Sequence, residues 1–302
     1  ILMSGLFASS NHIGEELNVF SIIPFLGILL SIAILPLFVP VFWHHNYGKI
    51  SAFWAFLYII PFALWKGLEA TSHQIMHVIL LEYLPFIILL FSLYTISGGI
   101  RIKGSFSGTP HFNTLLILIG TILASWMGTT GASILLIRPL IKANKWRKYK
   151  VHTVIFFIFL VANIGGALTP LGDPPLFLGF LLGIKFFWTT KIMFIPMCLI
   201  SIMLITIYYL IDVFYFKKEK AQHIKQKEIN ESFGIEGLFN IFLLLLVISA
   251  VLMSGLWKPS NPDLNLAGIN VKIQNLLRDI ILLTLAFLSW NKTNILIRNK
   301  NG

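Results

Sequence analysis

Asp173 is the residue in this sequence best placed to do chemistry. It stands in the stretch NIGGALTPLGDPP, where Gly165, Gly166, Thr169, Pro170, Gly172, Asp173, Pro174 and Pro175 fall within eleven residues. Apolar runs flank the stretch, His152 to Asn163 before it and Leu176 to Trp188 after it. Each run is shorter than the ~20 residues that cross a bilayer, so residues 151–188 read as one crossing, a broken helix with an unwound centre near the midplane. Backbone freed at that depth must be buried in protein or line a cavity. A carboxylate there is costly unless it holds a cation or a proton. A discontinuous helix that carries such a group marks an ion or substrate site.

A second interruption lies upstream. The apolar stretch His111 to Ile141 is broken by Gly128, Thr129, Thr130 and Gly131, with Ser133 one turn on. It is too long for one crossing and too short for two, and basic residues flank both ends. It reads as a re-entrant helical hairpin over 111–141 with its tip at GTTG, facing the broken helix. The carbonyls and hydroxyls of two such breaks suit a hard cation such as sodium, and half-helix N-termini suit an anion. Candidate ligands are Thr129, Thr130, Gly131, Ser133, Asn163, Thr169 and Asp173, with a transported sodium near Asp173 as the only metal expected. Each has a plain structural alternative. Asp173 could cap the second half-helix, Thr129, Thr130 and Ser133 could cap the hairpin arms, and Asn163 could satisfy freed backbone.

The elements that must hold these residues follow from composition. Of 302 residues, 57% are hydrophobic and 12% charged, with a mean hydropathy of +0.83. That is an all-α, polytopic membrane protein whose first partner is the lipid bilayer. The net charge of +11 sits in short loops and reads as topology, with no nucleic-acid partner implied. A single cysteine, Cys198, excludes a disulfide frame and a Cys-based metal site. No nucleotide-binding glycine pattern, catalytic triad or paired-carboxylate constellation is present, which argues against an enzyme and against any cofactor beyond transported sodium and protons.

In chain order, residues 1–18 form an N-terminal segment that could be a signal remnant. Crossings are expected at Val19–Trp43, Ile50–Trp65 and Ile75–Ser97, then, after the hairpin and broken helix, at Ile192–Phe216 and Leu238–Trp257. HHNYGK (44–49), KGLEATSHQ (66–74), the basic segment 217–237 and the polar segment 258–278 read as loops, and Ile280–Trp290 as a last short apolar run. Sixteen of the 23 Lys and Arg fall in the segments 44–49, 98–111, 142–150, 217–237 and 291–302, against six on the other side and Arg138 in the hairpin. Arg138 is expected to snorkel to the same basic face. With the hairpin re-entrant, the N-terminus is expected outside and the C-terminus in the cytoplasm of a bacterial inner membrane. His44, His45, His73, His77 and His152 are expected at helix ends with no metal role.

GTTGASILLIRPLI and FFIFLVANIGGALTPLGDPPLFLGFL resemble bacterial sodium/proton antiporters of the ion-transporter superfamily, which also holds arsenite-efflux and citrate/dicarboxylate carriers. FWHHNYGKISAFWAFLYIIPFALW and EYLPFIILLFSLYTISGGI are similar to that family too. The resemblance implies two inverted repeats, each with a re-entrant hairpin and a broken helix, and an elevator-type carrier that usually works as a dimer. It places Thr129, Thr130, Gly131, Ser133, Asn163, Thr169 and Asp173 in the first repeat's site. GTTGAS in place of the Ser-Asn-Thr signature of the dicarboxylate branch favours sodium/proton antiport, with carriage of citrate, a dicarboxylate or arsenite as the alternative. The sequence contains one hairpin and one broken helix. On this resemblance 19–216 is the first repeat and 238–302 the start of a truncated second, to be completed by a separate C-terminal half or a homodimer. A non-transporting remnant is the remaining alternative.

Overall fold

A computed structural model describes residues 16–219, 232–260, 263–266 and 268–301. The expected signal remnant lies almost wholly outside them, as does the middle of the basic loop 217–237. The chain divides into two compact units, residues 1–76 and 77–302. Among the described residues, eight helices are long and apolar enough to cross a membrane, and the protein is a multi-pass, mostly helical membrane protein.

In the first unit, a 3-10 turn at Val19–Ile22 leads into α1 (Ile23–Phe38), which packs on α2 (Pro40–Lys66). Trp54 Nε1 donates to Ser31 Oγ at 3.0 Å, and Gly27 leaves room for the Trp54 ring. The turn falls at Val39, ahead of Pro40, and not at HHNYGK. Residues 44–49 are helical because their polar groups bond the helix's own carbonyls: His45 Nδ1 to Val41 O at 2.8 Å and Asn46 Nδ2 to Phe42 O at 3.0 Å. The expected loop 66–74 is likewise mostly helix. Only Gly67, at φ 88°, interrupts before α3 (Leu68–Val78) begins.

α3 continues through a π-helical turn, Ile79–Tyr83, into α4 (Leu84–Ser97), and the division between units falls within α3. The second unit follows with β1 (Arg101–Lys103), α5 (Pro110–Met127), α6 (Thr129–Ala143), α7 (Val151–Leu160), a 3-10 turn at Ile164–Leu168, α8 (Pro174–Leu181), α9 (Trp188–Glu219), β2 (Gly234–Glu236), α10 (Leu238–Leu256), β3 (Asp263–Leu266), β4 (Ile269–Lys272), α11 (Ile273–Lys292) and α12 (Ile295–Asn301).

α4, α10 and α11 pack together, and α4 also meets α6. Small and hydroxyl side chains let the backbones approach: Ser92 Oγ donates to Leu282 O at 3.0 Å and Ser289 Oγ to Asn240 Oδ1 at 2.6 Å. α9 packs on α5, α7 and the 3-10 turn, while Ile195, Leu199, Ile202 and Leu210 face outward as a lipid-facing surface would. Two antiparallel pairs, β1–β2 and β3–β4, interrupt the otherwise helical chain. Arg101 Nη1 donates to Glu236 Oε2 at 3.0 Å, and this bond holds the Glu236 carboxyl below its ordinary range.

Two further boundaries differ from expectation. The second half of the broken helix ends at Leu181 and turns at Gly183 (φ 100°), so that Trp188 already opens α9. The expected polar loop 258–278 holds the β3–β4 hairpin and the first turns of α11. Gln274, Arg278 and Asp279 are buried in that helix, so polar composition there reflects a packed interior face.

Candidate functional site

α5 and α6 pack as an antiparallel helical hairpin, α5 being 18 residues and ~27 Å long. They join at Gly128, whose φ of 80° is cheap only for glycine. The tip abuts the break that follows α7. Thr129 N–H donates to Gly172 O at 3.2 Å, and Gly128 lies so close to Leu171 O that a Cβ would sit 3.3 Å from it. Within the break, the Gly166 and Gly172 backbones touch. A Cβ on Gly166 would meet Thr129 Cγ2 at 2.7 Å, and one on Gly172 would strike Gly166 O.

The unwound backbone is satisfied by residues that the sequence reading passed over. Ser125 Oγ, on α5, donates to Gly165 O at 2.5 Å and accepts from Leu168 N–H at 3.3 Å. Thr189 and Thr190 of α9 both donate to Leu168 O, at 3.0 and 2.5 Å. Ser125 sits one turn before Gly128, and that position was the available signal; Thr189 and Thr190 stand in the first turn of α9, where nothing in the sequence points to the break. Together these hydroxyls meet the requirement that buried backbone be paired.

Thr129, Thr130, Gly131 and Asp173 line a single cavity of about 340 Å³, with Gly128, Gly172 and Pro174. α4 supplies the opposite wall through Phe86, Leu89, Leu90, Leu93 and Tyr94. The other three candidates point elsewhere. Thr169 is buried, with its hydroxyl bonded to Ser125 O and accepting from Leu171 N–H at 3.2 Å. Asn163 is exposed and donates to Ile158 O at 2.8 Å, closing its own half-helix. Ser133 Oγ is buried on α6, outside the cavity lining and without a hydrogen bond among the described residues.

Asp173 precedes α8 with extended backbone, and its side chain makes no capping hydrogen bond. Pro175 removes the N2 amide that a capping carboxylate would seek, and the N3 amide, Leu176 N–H, donates instead to the Asp173 backbone carbonyl at 3.1 Å. Among the described residues the carboxylate makes no ion pair, and it is the only acidic group lining the cavity. The cavity therefore presents an unpartnered carboxylate on one side and the N-terminal turn of α6, with its partial positive charge, on the other. Such an arrangement can hold a cation and an anion at once.

A family model described as "Putative citrate transport" matches residues 14–302. The chain belongs to this family. It is a multi-pass membrane protein of a transporter family, and the match runs through the hairpin, the break and the helices beyond them. Among curated proteins and among solved structures, no match was found.

Proposed function

We propose that this family member is a secondary carrier that moves a citrate-type polycarboxylate together with a cation through the cavity between the hairpin tip and the break. The observation that carries this reading is Asp173. Its free carboxylate would repel a carboxylate substrate unless a sodium ion or a proton neutralises it, so substrate and cation bind as a couple. The α6 N-terminus and the hydroxyls of Thr129 and Thr130 then receive the substrate's own carboxylates. The family description supports the anion, and the acidic lining supports the cation.

The same acidic lining favours a second reading, sodium/proton antiport with Asp173 as the exchanging group, because no Lys or Arg lines the cavity. In either reading the hairpin is re-entrant and the protein sits in a bacterial inner membrane with its C-terminus in the cytoplasm. Reconstitution into proteoliposomes separates the two readings. Citrate uptake that rises with an inward sodium or proton gradient, and falls to background in Asp173→Asn, supports the carrier reading. Sodium-driven proton movement that is indifferent to citrate and lost in Asp173→Asn supports antiport. Citrate uptake equal in wild type and Asp173→Asn overturns the role given to the carboxylate.

A further inference from the structure

We propose that a buried cluster of His152, Arg147, Asp212 and Glu219 is a proton-binding site of this carrier, separate from the cavity at Asp173. His152 stands at the start of α7, whose ten residues put ~15 Å of helix between it and the break. The inference rests on the reading of the protein as an ion-coupled carrier for its purpose, and on geometry alone for its existence.

Arg147, Asp212 and Glu219 are almost completely removed from solvent. Arg147 Nη1 lies 2.5 Å from Asp212 Oδ1, and its Nε donates to Glu219 Oε2 at 3.0 Å. Asp212 is further held by Asn113 Nδ2 at 3.1 Å and the Tyr208 hydroxyl at 3.2 Å. Glu219 Oε1 accepts from Tyr149 N–H at 2.6 Å. One buried guanidinium thus faces two buried carboxylates, which leaves the cluster one negative charge in excess. A buried, uncompensated charge is costly, and the group positioned to cancel it is His152. Its Nε2 lies 2.8 Å from Asp212 Oδ1, and its side chain keeps 12% of its surface exposed. A proton taken from water onto the imidazole makes both ring nitrogens donors and brings the cluster to neutrality.

Among the described residues, the surroundings offer no competing counter-charge within the packed region. α5 contributes Asn113, the 144–150 segment contributes Asn144, Arg147 and Tyr149, and α9 contributes Tyr208, Asp212, Tyr215 and Glu219. Lys145, Lys148, Lys150, Lys217 and Lys218 are exposed, Lys148 lying over the Tyr149 ring and Lys218 over Phe214. The cluster ties the base of the hairpin, through the Asn113–Asn144 pair, to the start of the broken helix and to α9. Protonation therefore acts where the two site-bearing elements are anchored, and links proton binding to their position.

The test is an infrared titration of the purified full chain in lipid between about pH 8 and 5. The His152→Gln variant identifies the imidazole band that belongs to the cluster. In Glu219→Gln the excess negative charge is gone, and the midpoint of that band moves to lower pH by about one unit, the scale of a single nearby charge. Asp212→Asn moves it the same way and serves if Glu219→Gln does not fold. The pH profile of transport moves in parallel. A band midpoint unchanged in both carboxylate variants overturns the shared proton. A midpoint that moves while the transport profile stays fixed overturns the coupling. The titration requires no substrate, so its failure is distinct from a failure to carry citrate.

Discussion

At the scale of single residues, the proposed site depends on two glycines and one carboxylate. Asp173→Asn keeps the shape of the side chain and removes its charge, so transport falls by at least tenfold in an uptake assay while the thermal midpoint of the purified protein stays close to wild type. A fall in both together would indicate a structural role instead. Gly172→Ala is the converse. Its added methyl would strike Gly166 O, a backbone atom that cannot swing aside. Overpacking of this kind costs ~1–3 kcal/mol, so both the thermal midpoint and uptake drop. The sequence singles out Asp173 as a carboxylate between glycines and prolines in an apolar stretch, with capping of the second half-helix as its structural alternative. It did not separate Thr130, which lines the cavity, from Asn163, which turns back onto Ile158 O. Both are polar residues at a break, and only the direction of the side chain distinguishes them.

At the scale of elements, the hairpin and the broken helix are one mechanical piece because Ser125 bridges them. Ser125→Ala leaves Gly165 O and Leu168 N–H without that hydroxyl in a buried region, a loss of ~1–3 kcal/mol. Thermal unfolding in detergent reads it as a lowered midpoint, and Ser125→Thr recovers part of the difference. Both interruptions were legible in the sequence, since Gly and Pro within apolar runs have few other uses at that depth. Helix limits were less so. α2 absorbs HHNYGK because its polar side chains bond the helix they belong to, and α11 begins at Ile273 because Gln274, Arg278 and Asp279 pack inward. Polar composition alone cannot tell a solvated loop from a helix that satisfies its own polar groups. Arg147 illustrates the same limit. It reads as one of five basic residues in a loop, yet it is the buried centre of an ion cluster.

At the scale of the whole molecule, the β1–β2 pair fastens the segment before α5 to the segment before α10 through Arg101, Lys103 and Glu236. The Glu236 carboxyl is held below its ordinary range, so its contribution is present above the unfolded value near ~4.3 and is lost as pH falls through the folded one. The pair is partly solvated, which limits it to ~1 kcal/mol or less. Glu236→Gln therefore lowers the thermal midpoint slightly at neutral pH, and its difference from wild type shrinks as pH falls below the unfolded value. The central claim, that substrate and cation meet between the hairpin tip and the break, is tested most directly by protection from labelling. In a Cys198→Ser background, single cysteines at Thr130 and Asn163 are exposed to a membrane-permeant maleimide with and without citrate and sodium. Citrate with sodium is expected to slow labelling of Thr130→Cys several-fold and to leave Asn163→Cys unaffected. Protection of Asn163→Cys with none at Thr130→Cys would place the substrate outside the cavity and contradict it.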